Sequence, residues 1–261
     1  MLLCTFGDLL LDVIVRLDGP LVPGDDQGAF TRTGAGGQAA NVAAWAASLG
    51  ADARFVGKRG SDPAAELARA ELAGHGVEVV GPSEGRNGVV VSLVGADGER
   101  TMASDRGVAP ELSPDEIDAG WLRCDALHVS GYSLFREPIA SAAAHAARLA
   151  RAGGARVSVD LSSWSSIDDP FRRRVEALAP DVVFANEREL ERFGGGLEAT
   201  WVVKRGPGGI AVDGVTLAAS PADVVDTTGA GDALAAGFLV GGPEAGLAAA
   251  ARCVAKLGAM P

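Results

Sequence analysis

Residues Val224 to Phe238 read VVDTTGAGDALAAGF. The small residues of this stretch form a turn that continues directly into a helical pattern, with one acid, Asp232, at the junction. Gly229 and Gly231 allow a sharp turn and leave room for a ligand to approach the backbone. The free amides at the start of the following helix lie at the positive end of its dipole, and such a site suits a phosphate.

Two interpretations of Asp232 fit this stretch alone. A bound phosphate would repel a carboxylate, so an acid placed there is a candidate base that takes a proton from the group attacking the phosphate. A helix cap beside a glycine turn explains the same acid equally well. The rest of the chain is needed to separate the two.

Composition and charge limit the classes of protein that the chain can belong to. A length of 261 residues, 48% of them apolar and 22% charged, suits one large soluble domain or two small ones. The formal net charge of −11 disfavours nucleic acid and an anionic membrane surface as partners, but it leaves a nucleotide pocket open.

Cysteine usage and the lack of long apolar runs bear on the compartment. Cys4, Cys124 and Cys253 form no C-x-x-C pair, which gives no sign of zinc or a disulfide frame and is typical of a reducing compartment. No apolar run is long enough to span a bilayer, and Asp8 and Asp12 interrupt the apolar N-terminus. We therefore expect a cytoplasmic protein.

Apolar strand patterns alternate with helical patterns along most of the chain. Strands are predicted at 2–6, 53–56, 126–130, 155–160, 181–184 and 200–204, with a hairpin at 209–217. Helices are predicted at 38–48, 63–73, 138–152, 170–178, 187–192, 232–240 and 244–256. This alternation predicts an α/β fold, with a mainly parallel sheet covered by helices on both faces.

A second group of strand patterns has no helical partners. It comprises residues 9–17, residues 28–33 and a hairpin of 88–94 with 99–104, in which Asp97-Gly98 supports a tight turn. We expect these strands to form a small separate sheet, a lid, over about 9–33 and 86–106.

Polar residues and glycines follow several of the predicted central strands. Ligands of open α/β sheets bind beyond the carboxyl ends of the strands, where such residues meet. The candidates at this edge, besides Asp232, are Asp12, Gly36, Gly37, Asp160, Asn186 and Lys204.

Residues 33–41 open a helix with a glycine pair. A formal match to a dinucleotide fingerprint over residues 34–39 is rejected, because no central apolar strand precedes it. Gly36 and Gly37 instead let a polar ligand approach the backbone, while Asn41 presents its amide from one helix face. Ordinary glycine turns at a helix start are the alternative.

Two acids have both a ligand-binding and a structural interpretation. Asp12 interrupts an apolar strand, where vicinal sugar hydroxyls would satisfy a buried acid and an exposed strand position would need no partner. Glu189, three residues after Asn186, suits Mg²⁺ bound through water, whereas a reciprocal cap with Asn186 explains the same pair without a ligand.

The segment from Lys204 to Gly209 combines two cations with three glycines after a strand. That composition suits contact with nucleotide phosphates, although the order of a P-loop is absent. A basic hairpin turn is the alternative.

Taken together, these segments resemble the ribokinase-like (PfkB) carbohydrate kinase family over nearly the whole chain. Residues 226–232 resemble its second signature and residues 36–41 resemble its first. Residues 186–189 resemble its N-x-x-E magnesium motif, and residues 99–101 resemble its lid hairpin. The resemblance implies a single ribokinase-like domain over residues 1–261, with a Rossmann-like three-layer α/β/α core, a mainly parallel central sheet and a small β-sheet lid. Two copies often pair through such lids.

The resemblance also implies a role for each matching residue. Asp232 would be the base toward a substrate hydroxymethyl group, beside an anion hole formed by the backbone amides of Gly229, Ala230 and Gly231. The acceptor would be held by Asp12, Gly36, Gly37 and Asn41. The nucleotide would be contacted by Asn186, Lys204, Gly206, Gly209 and Thr228. Mg²⁺ would bind Glu189, mostly through water, and a monovalent cation, usually K⁺, would bind Asp226 and Thr228.

The implied activity is that of an ATP-dependent sugar kinase acting on a primary hydroxyl. A nucleoside kinase of the same family is the nearest alternative. A catalytically silent sugar-binding or regulatory protein is a third, which the intact Asp232 disfavours. Lys204 departs from the family, which often has Thr at this position, so a lysine contact to phosphate is expected instead.

Overall fold

The structure is a computed structural model that describes residues 1–95 and 100–261. Its strands are β1 (Leu2–Phe6), β2 (Leu10–Leu17), β3 (Ala29–Gly36), β4 (Asp52–Val56), β5 (Val77–Val80), β6 (Asn87–Val94), β7 (Arg100–Gly107), β8 (Ala126–Ser130), β9 (Arg156–Asp160), β10 (Val182–Asn186), β11 (Thr200–Lys204), β12 (Ile210–Val212) and β13 (Val215–Leu217). Its α-helices are α1 (Gln38–Ser48), α2 (Pro63–Gly74), α3 (Ile139–Ala152), α4 (Asp169–Leu178), α5 (Glu187–Phe193), α6 (Ala230–Gly241) and α7 (Pro243–Val254).

The central sheet has the strand order β13-β12-β11-β10-β9-β8-β1-β4-β5. In this spatial order, the seven strands β11, β10, β9, β8, β1, β4 and β5 pair in parallel. Strands β12 and β13 complete one edge in antiparallel pairing. The carboxyl ends of the parallel strands therefore meet at one edge, as the alternation of strand and helix predicts.

Alternating apolar side chains on the strands join the sheet to helices on both faces. Leu3 and Phe55 face a layer formed by α1, α2, α6 and α7, whereas Cys4, Phe6 and Val56 face α3, α4 and α5. All five side chains are fully buried, and burying an aliphatic or aromatic side chain contributes about 1.5–3 kcal/mol. The expected three-layer α/β/α architecture is confirmed.

Strand β5 and the start of α6 are two of the differences between the structure and the sequence prediction in the central domain. The four-residue strand β5 was not predicted, because it is a short edge strand with an exposed Glu78 and no helical pattern after it. Helix α6 begins at Ala230, two residues before the predicted start, because Gly229 adopts a left-handed conformation (φ 76°) and ends the turn there. Gly231 and Asp232 consequently lie in the first helical turn.

The lid is a four-stranded sheet of order β3-β2-β6-β7. Strand β2 pairs parallel to β6 and antiparallel to β3, and β6 pairs antiparallel to β7. The predicted Asp97-Gly98 turn between β6 and β7 lies outside the described residues. Within the part of the chain that the structure describes, no helix is long and apolar enough to cross a membrane.

Candidate active site

The turn before α6 leaves open space beside its backbone. A Cβ on Gly229 would lie 2.6 Å from the Cβ of Ala259, so packing as well as the left-handed backbone requires glycine there. A Cβ on Gly231 would meet no atom closer than the Lys204 Nζ, at 3.5 Å. Of the three amides predicted to form the anion hole, that of Ala230 has an internal acceptor, because it donates to the Thr227 carbonyl at 3.3 Å.

Asp232 is held by two amide side chains of α1. The Asn41 Nδ2 donates to the Asp232 Oδ2 at 2.7 Å, and Gln38 also hydrogen-bonds to the Asp232 carboxylate. The Gln38 Oε1 accepts from the hydroxyls of Ser130 and Ser162, each at 2.6 Å, which directs its amide nitrogen toward Asp232. Gln38 had no predicted role, although it lies inside the glycine-pair segment that the sequence singled out.

The environment of Asp232 changes its acidity. Burial raises the pKa of Asp232 to about 7, against the effect of the hydrogen bond from Asn41, and the nearby charge of Asp160 raises it further. Lys204 and Gln38 lower the pKa in part. A carboxyl with a pKa close to neutrality is suited to general base catalysis at physiological pH.

Lys204 lies at the predicted strand end, but its partner is another protein residue. Its Nζ donates to the Asp160 Oδ2 at 2.6 Å, and the Asp160 side chain is 1% exposed. Burial lowers the pKa of Lys204, but the carboxylates of Asp160 and Glu189 outweigh it and leave the pKa above its usual value. The lysine is therefore charged, and the buried Asp160 has a countercharge.

Asn186 and Glu189 form a reciprocal helix cap. The Asn186 Oδ1 accepts from the Glu189 amide at 2.9 Å, and the Glu189 Oε2 accepts from the Asn186 amide at 2.8 Å. The capping interpretation therefore describes this structure. Burial also raises the pKa of Glu189, which lies close enough to Lys204 and Asp160 for their charges to act on it.

The glycine pair before α1 lies against two acids. A Cβ on Gly36 would lie 2.1 Å from the Asp12 carboxylate, and a Cβ on Gly37 would lie 2.3 Å from the Asp8 carbonyl oxygen. These close approaches explain both glycines without a ligand. Asp12 is half-buried and lines a cleft of about 790 Å³ between the lid and residues 224–228.

An ion pair that the sequence did not predict joins the lid to the central sheet. The Arg106 Nε and Nη2, from β7, donate to the two Asp8 carboxylate oxygens at 2.5 and 2.9 Å. Asp8 is almost fully buried just beyond the end of β1. Its position after a predicted strand is the sequence signal for a site residue, although Asp8 was interpreted only as an interruption of the apolar N-terminus.

The residues predicted to bind nucleotide and cation lie in two turns. Gly206 and Gly209 have positive φ angles of 54° and 84° in the turn after β11. The Asp226 Oδ1 accepts from the Thr228 amide and hydroxyl, and its Oδ2 accepts from the Gly258 amide at 3.0 Å. Asp226 thus connects the glycine turn to residues 256–258, and the ligand roles of these residues stay predictions.

Comparison with known proteins identifies the family. The model of the pfkB family carbohydrate kinases matches residues 1–260. An ATP-dependent ribose-1-phosphate kinase from Halopiger xanaduensis is 36% identical over 252 residues, which cover 89% of this chain and 82% of that protein. A fructokinase from Klebsiella pneumoniae is 33% identical over 240 residues, covering 79% and 76% of the two chains.

Solved structures agree with the family match. The crystal structure of adenosine kinase from Sinorhizobium meliloti superimposes with a TM-score of 0.86 at 27% identity, covering 99% of this chain and 95% of that one. The chain belongs to the pfkB family of carbohydrate kinases, and it is a phosphotransferase that acts on sugars.

Proposed function

We propose that the protein transfers the γ-phosphoryl group of ATP to a primary hydroxyl of a small carbohydrate, with Asp232 as the base. The observation that carries this proposal is the placement of Asp232. Its carboxylate lies in the first turn of α6, beside the glycine turn, and its pKa is raised by burial to about 7. The name of the Halopiger relative supports ATP as the donor.

The chemistry follows from this placement. Asp232 accepts the proton of the acceptor hydroxyl, and the resulting oxygen forms a bond to the γ-phosphorus while the bond to the ADP oxygen breaks. Asn41 and Gln38 fix the direction of the carboxylate. Amides at the glycine turn stabilise charge on the transferring group. A positioned base contributes roughly 10²–10⁴-fold to such a step.

The site fits ATP with Mg²⁺ only if the nucleotide supplies most of the metal ligands. The described residues contain no cluster of three acid, histidine or cysteine side chains able to hold a metal ion. Mg²⁺ often binds through one carboxylate, water and substrate phosphates. Glu189 fits that mode, because only its Oε2 takes part in the helix cap and its Oε1 could bind a metal-bound water. When bound, the ion neutralises phosphate charge.

The remaining ligand roles form part of the same proposal. Asp12 and Asn41 would bind acceptor hydroxyls, because Asp12 lines the cleft and the buried Asn41 Oδ1 has no hydrogen-bond partner among the described residues. Asp226 and Thr228 would line a K⁺ site. Phosphoryl transfer measured in KCl and in tetramethylammonium chloride tests this cation role.

A nucleoside kinase is the second candidate function. The cleft that begins at Asp12 continues past apolar side chains of the lid and of the loop before the glycine turn. These side chains are Ile14, Phe30, Val90, Met102, Val224 and Val225. Such a wall suits an acceptor that carries a planar apolar group, and the adenosine kinase from Sinorhizobium meliloti has the same fold.

The deciding experiment measures ADP release from MgATP with a panel of acceptors. D-Ribose, D-fructose, ribose 1-phosphate and adenosine separate the candidates, and the position of the new phosphate ester is read by NMR. We expect turnover of at least one sugar and phosphorylation at a primary hydroxyl. Turnover of adenosine alone would replace the sugar by a nucleoside. Binding of sugars without ADP release would identify a silent binding protein.

A further inference from the structure

The ammonium group of Lys204 lies directly beside the glycine turn. The position that a Cβ of Gly231 would occupy is 3.5 Å from the Lys204 Nζ and 3.6 Å from its Cδ. A phosphoryl group held by the amides of this turn would therefore lie within reach of the lysine. The side chain of Lys204 is 18% exposed, so it is not closed off in the core as that of Asp160 is.

Asp160 fixes the lysine in this position. Its carboxylate is almost completely buried at the end of β9. The Asp160 Oδ2 accepts a hydrogen bond from the Lys204 Nζ, at an N–O distance of 2.6 Å. Among the described residues the ammonium group has no second hydrogen-bond partner, which leaves its other two N–H groups for a ligand. Below the pair lies His128, whose Nδ1 is 3.0 Å from the Ser158 Oγ. Burial lowers the pKa of His128 to about 4, so it is neutral and does not compete with Lys204 for Asp160.

We propose that Lys204 is a catalytic residue that contacts the transferring phosphoryl group, and that Asp160 is the positioning residue that directs it there. The inference rests on the proposed function, because it requires a phosphoryl group at the glycine turn. It changes the expected role of Lys204 from holding the nucleotide in the ground state to stabilising charge during transfer.

A preorganised cation is worth most where charge develops in a site that excludes water. The charged or titratable groups that face Asp232 are Asp160, Lys204, Tyr132 and Cys253. Lys204 is the cation among them, and its charge favours the ionised form of Asp232. Lys204 therefore has two effects: it favours the ionised form of the base, and it stabilises charge on the transferring phosphoryl group.

The competing explanation is a purely structural ion pair that neutralises Asp160. A double variant separates the two explanations, because removing one partner of a buried pair leaves an uncompensated charge, whereas removing both does not. The variants are Lys204→Met and Lys204→Met/Asp160→Asn. Lys58→Met is the control, since Lys58 is also a lysine paired with carboxylates, those of Glu84 and Glu116, and its side chain is 6% exposed.

We expect Lys204→Met to lose both thermal stability and about 10²-fold in kcat with the best acceptor of the panel. The double variant should regain most of the stability and keep the loss of kcat, while its KM for ATP stays within about threefold. In the single variant Lys204→Met, the pH midpoint of acceptor kcat/KM should move upward, because the cation that favours ionised Asp232 is absent while the charge of Asp160 remains. Lys58→Met should lose stability with kcat retained. Recovery of kcat together with stability in the double variant would overturn the proposal.

A binding measurement keeps the inference separate from the proposed function. The probe is MgADP with aluminium fluoride, a mimic of the transferring phosphoryl group, compared with MgADP alone by thermal shift. We expect the double variant to retain the MgADP shift and to lose the additional shift caused by aluminium fluoride. A retained additional shift would contradict the role of Lys204. Failure of the unmodified protein to bind MgADP at all would instead contradict the proposed function.

Discussion

The two sides of the active site, which are the edge of the central sheet and the lid, are held in place by different interactions. The floor is the carboxyl edge of the central sheet, where Asp160 and Glu189 are 1% and 3% exposed and are held by an ion pair and by the hydrogen bonds of a helix cap. The lid faces it with Phe30 62% exposed and Met102 49% exposed, and one buried ion pair, Asp8 with Arg106, joins it to the sheet. The difference suggests that the floor sets the chemistry and the lid sets the choice of acceptor.

The largest effect should come from the floor. Asp232→Asn removes the proton acceptor while the amide keeps the shape of the side chain, so kcat should fall by roughly 10²–10⁴-fold with little change in fold. Glu244→Gln is the matched control, because Glu244 lies exposed in the first turn of the neighbouring helix α7. ADP release measures both. Full activity of Asp232→Asn would show that Asp232 is not the base, and the assignment of the chemistry to the floor would then fail.

The second prediction separates the glycine turn from stability. Gly231→Ala places a methyl group in the space beside Lys204, where a phosphoryl group is expected, so kcat/KM for ATP should fall by about 10²-fold. Alanine is the better helix former, so the free energy of unfolding should not fall and should rise by up to about 1 kcal/mol. Urea denaturation checks this. Equal activity in Gly231→Ala would mean that phosphate does not bind at this turn.

The third prediction concerns pH. Asp232 must be ionised to accept a proton, and its pKa is about 7, so acceptor kcat/KM should be constant above that pH and fall about tenfold per unit below it. The profile is measured between pH 5.5 and 9 at saturating MgATP, with the fold followed by circular dichroism. A profile that stays flat down to pH 5.5, as the usual pKa of an aspartic acid near 4 would give, would indicate a solvated rather than a buried carboxylate.

The smallest effect on catalysis should come from the lid. Arg106→Met removes the ion pair between β7 and Asp8 and leaves Asp8 buried without its countercharge, so we expect the acceptor KM to rise about tenfold with kcat nearly unchanged. The free energy of unfolding should fall by roughly 3–5 kcal/mol.

The lid itself offers a matched control for Arg106→Met. Arg86 pairs with Asp105, but both side chains are more than half exposed, so Arg86→Met should leave both the stability and KM nearly unchanged. If Arg106→Met lowered kcat instead of raising KM, the lid would take part in the chemistry, and the division between floor and lid would fail.

The sequence predicted the parts of the molecule that depend on neighbouring residues. Strand and helix patterns repeat over short distances, so the central strands other than β5 and the seven helices emerged from local periodicity. The glycine turn and Asp232 were identified for the same reason. The reciprocal cap of Asn186 and Glu189 was also legible, as the alternative to a metal role, because it spans three residues.

Contacts between distant segments were not predictable from local patterns. Lys204 and Asp160 are 44 residues apart, and Arg106 and Asp8 are 98 apart. Each pair forms because the order of strands in the sheet, and the return of the lid over it, brings their ends together. The sequence predicted a phosphate contact for Lys204 but not its ion pair with Asp160, because the order of neighbouring strands is not apparent from local patterns.

Local patterns in the sequence predicted the α/β fold, the glycine turn and the position of Asp232, because these depend on the conformational preferences of adjacent residues. The acidity of Asp232 depends instead on the tertiary structure. Burial, the amide side chains of Asn41 and Gln38 and the charges of Asp160 and Lys204 together bring the pKa of Asp232 to about 7. The physical reason is that electrostatic effects depend on distance through space and on exclusion of water, which the linear order of residues does not state.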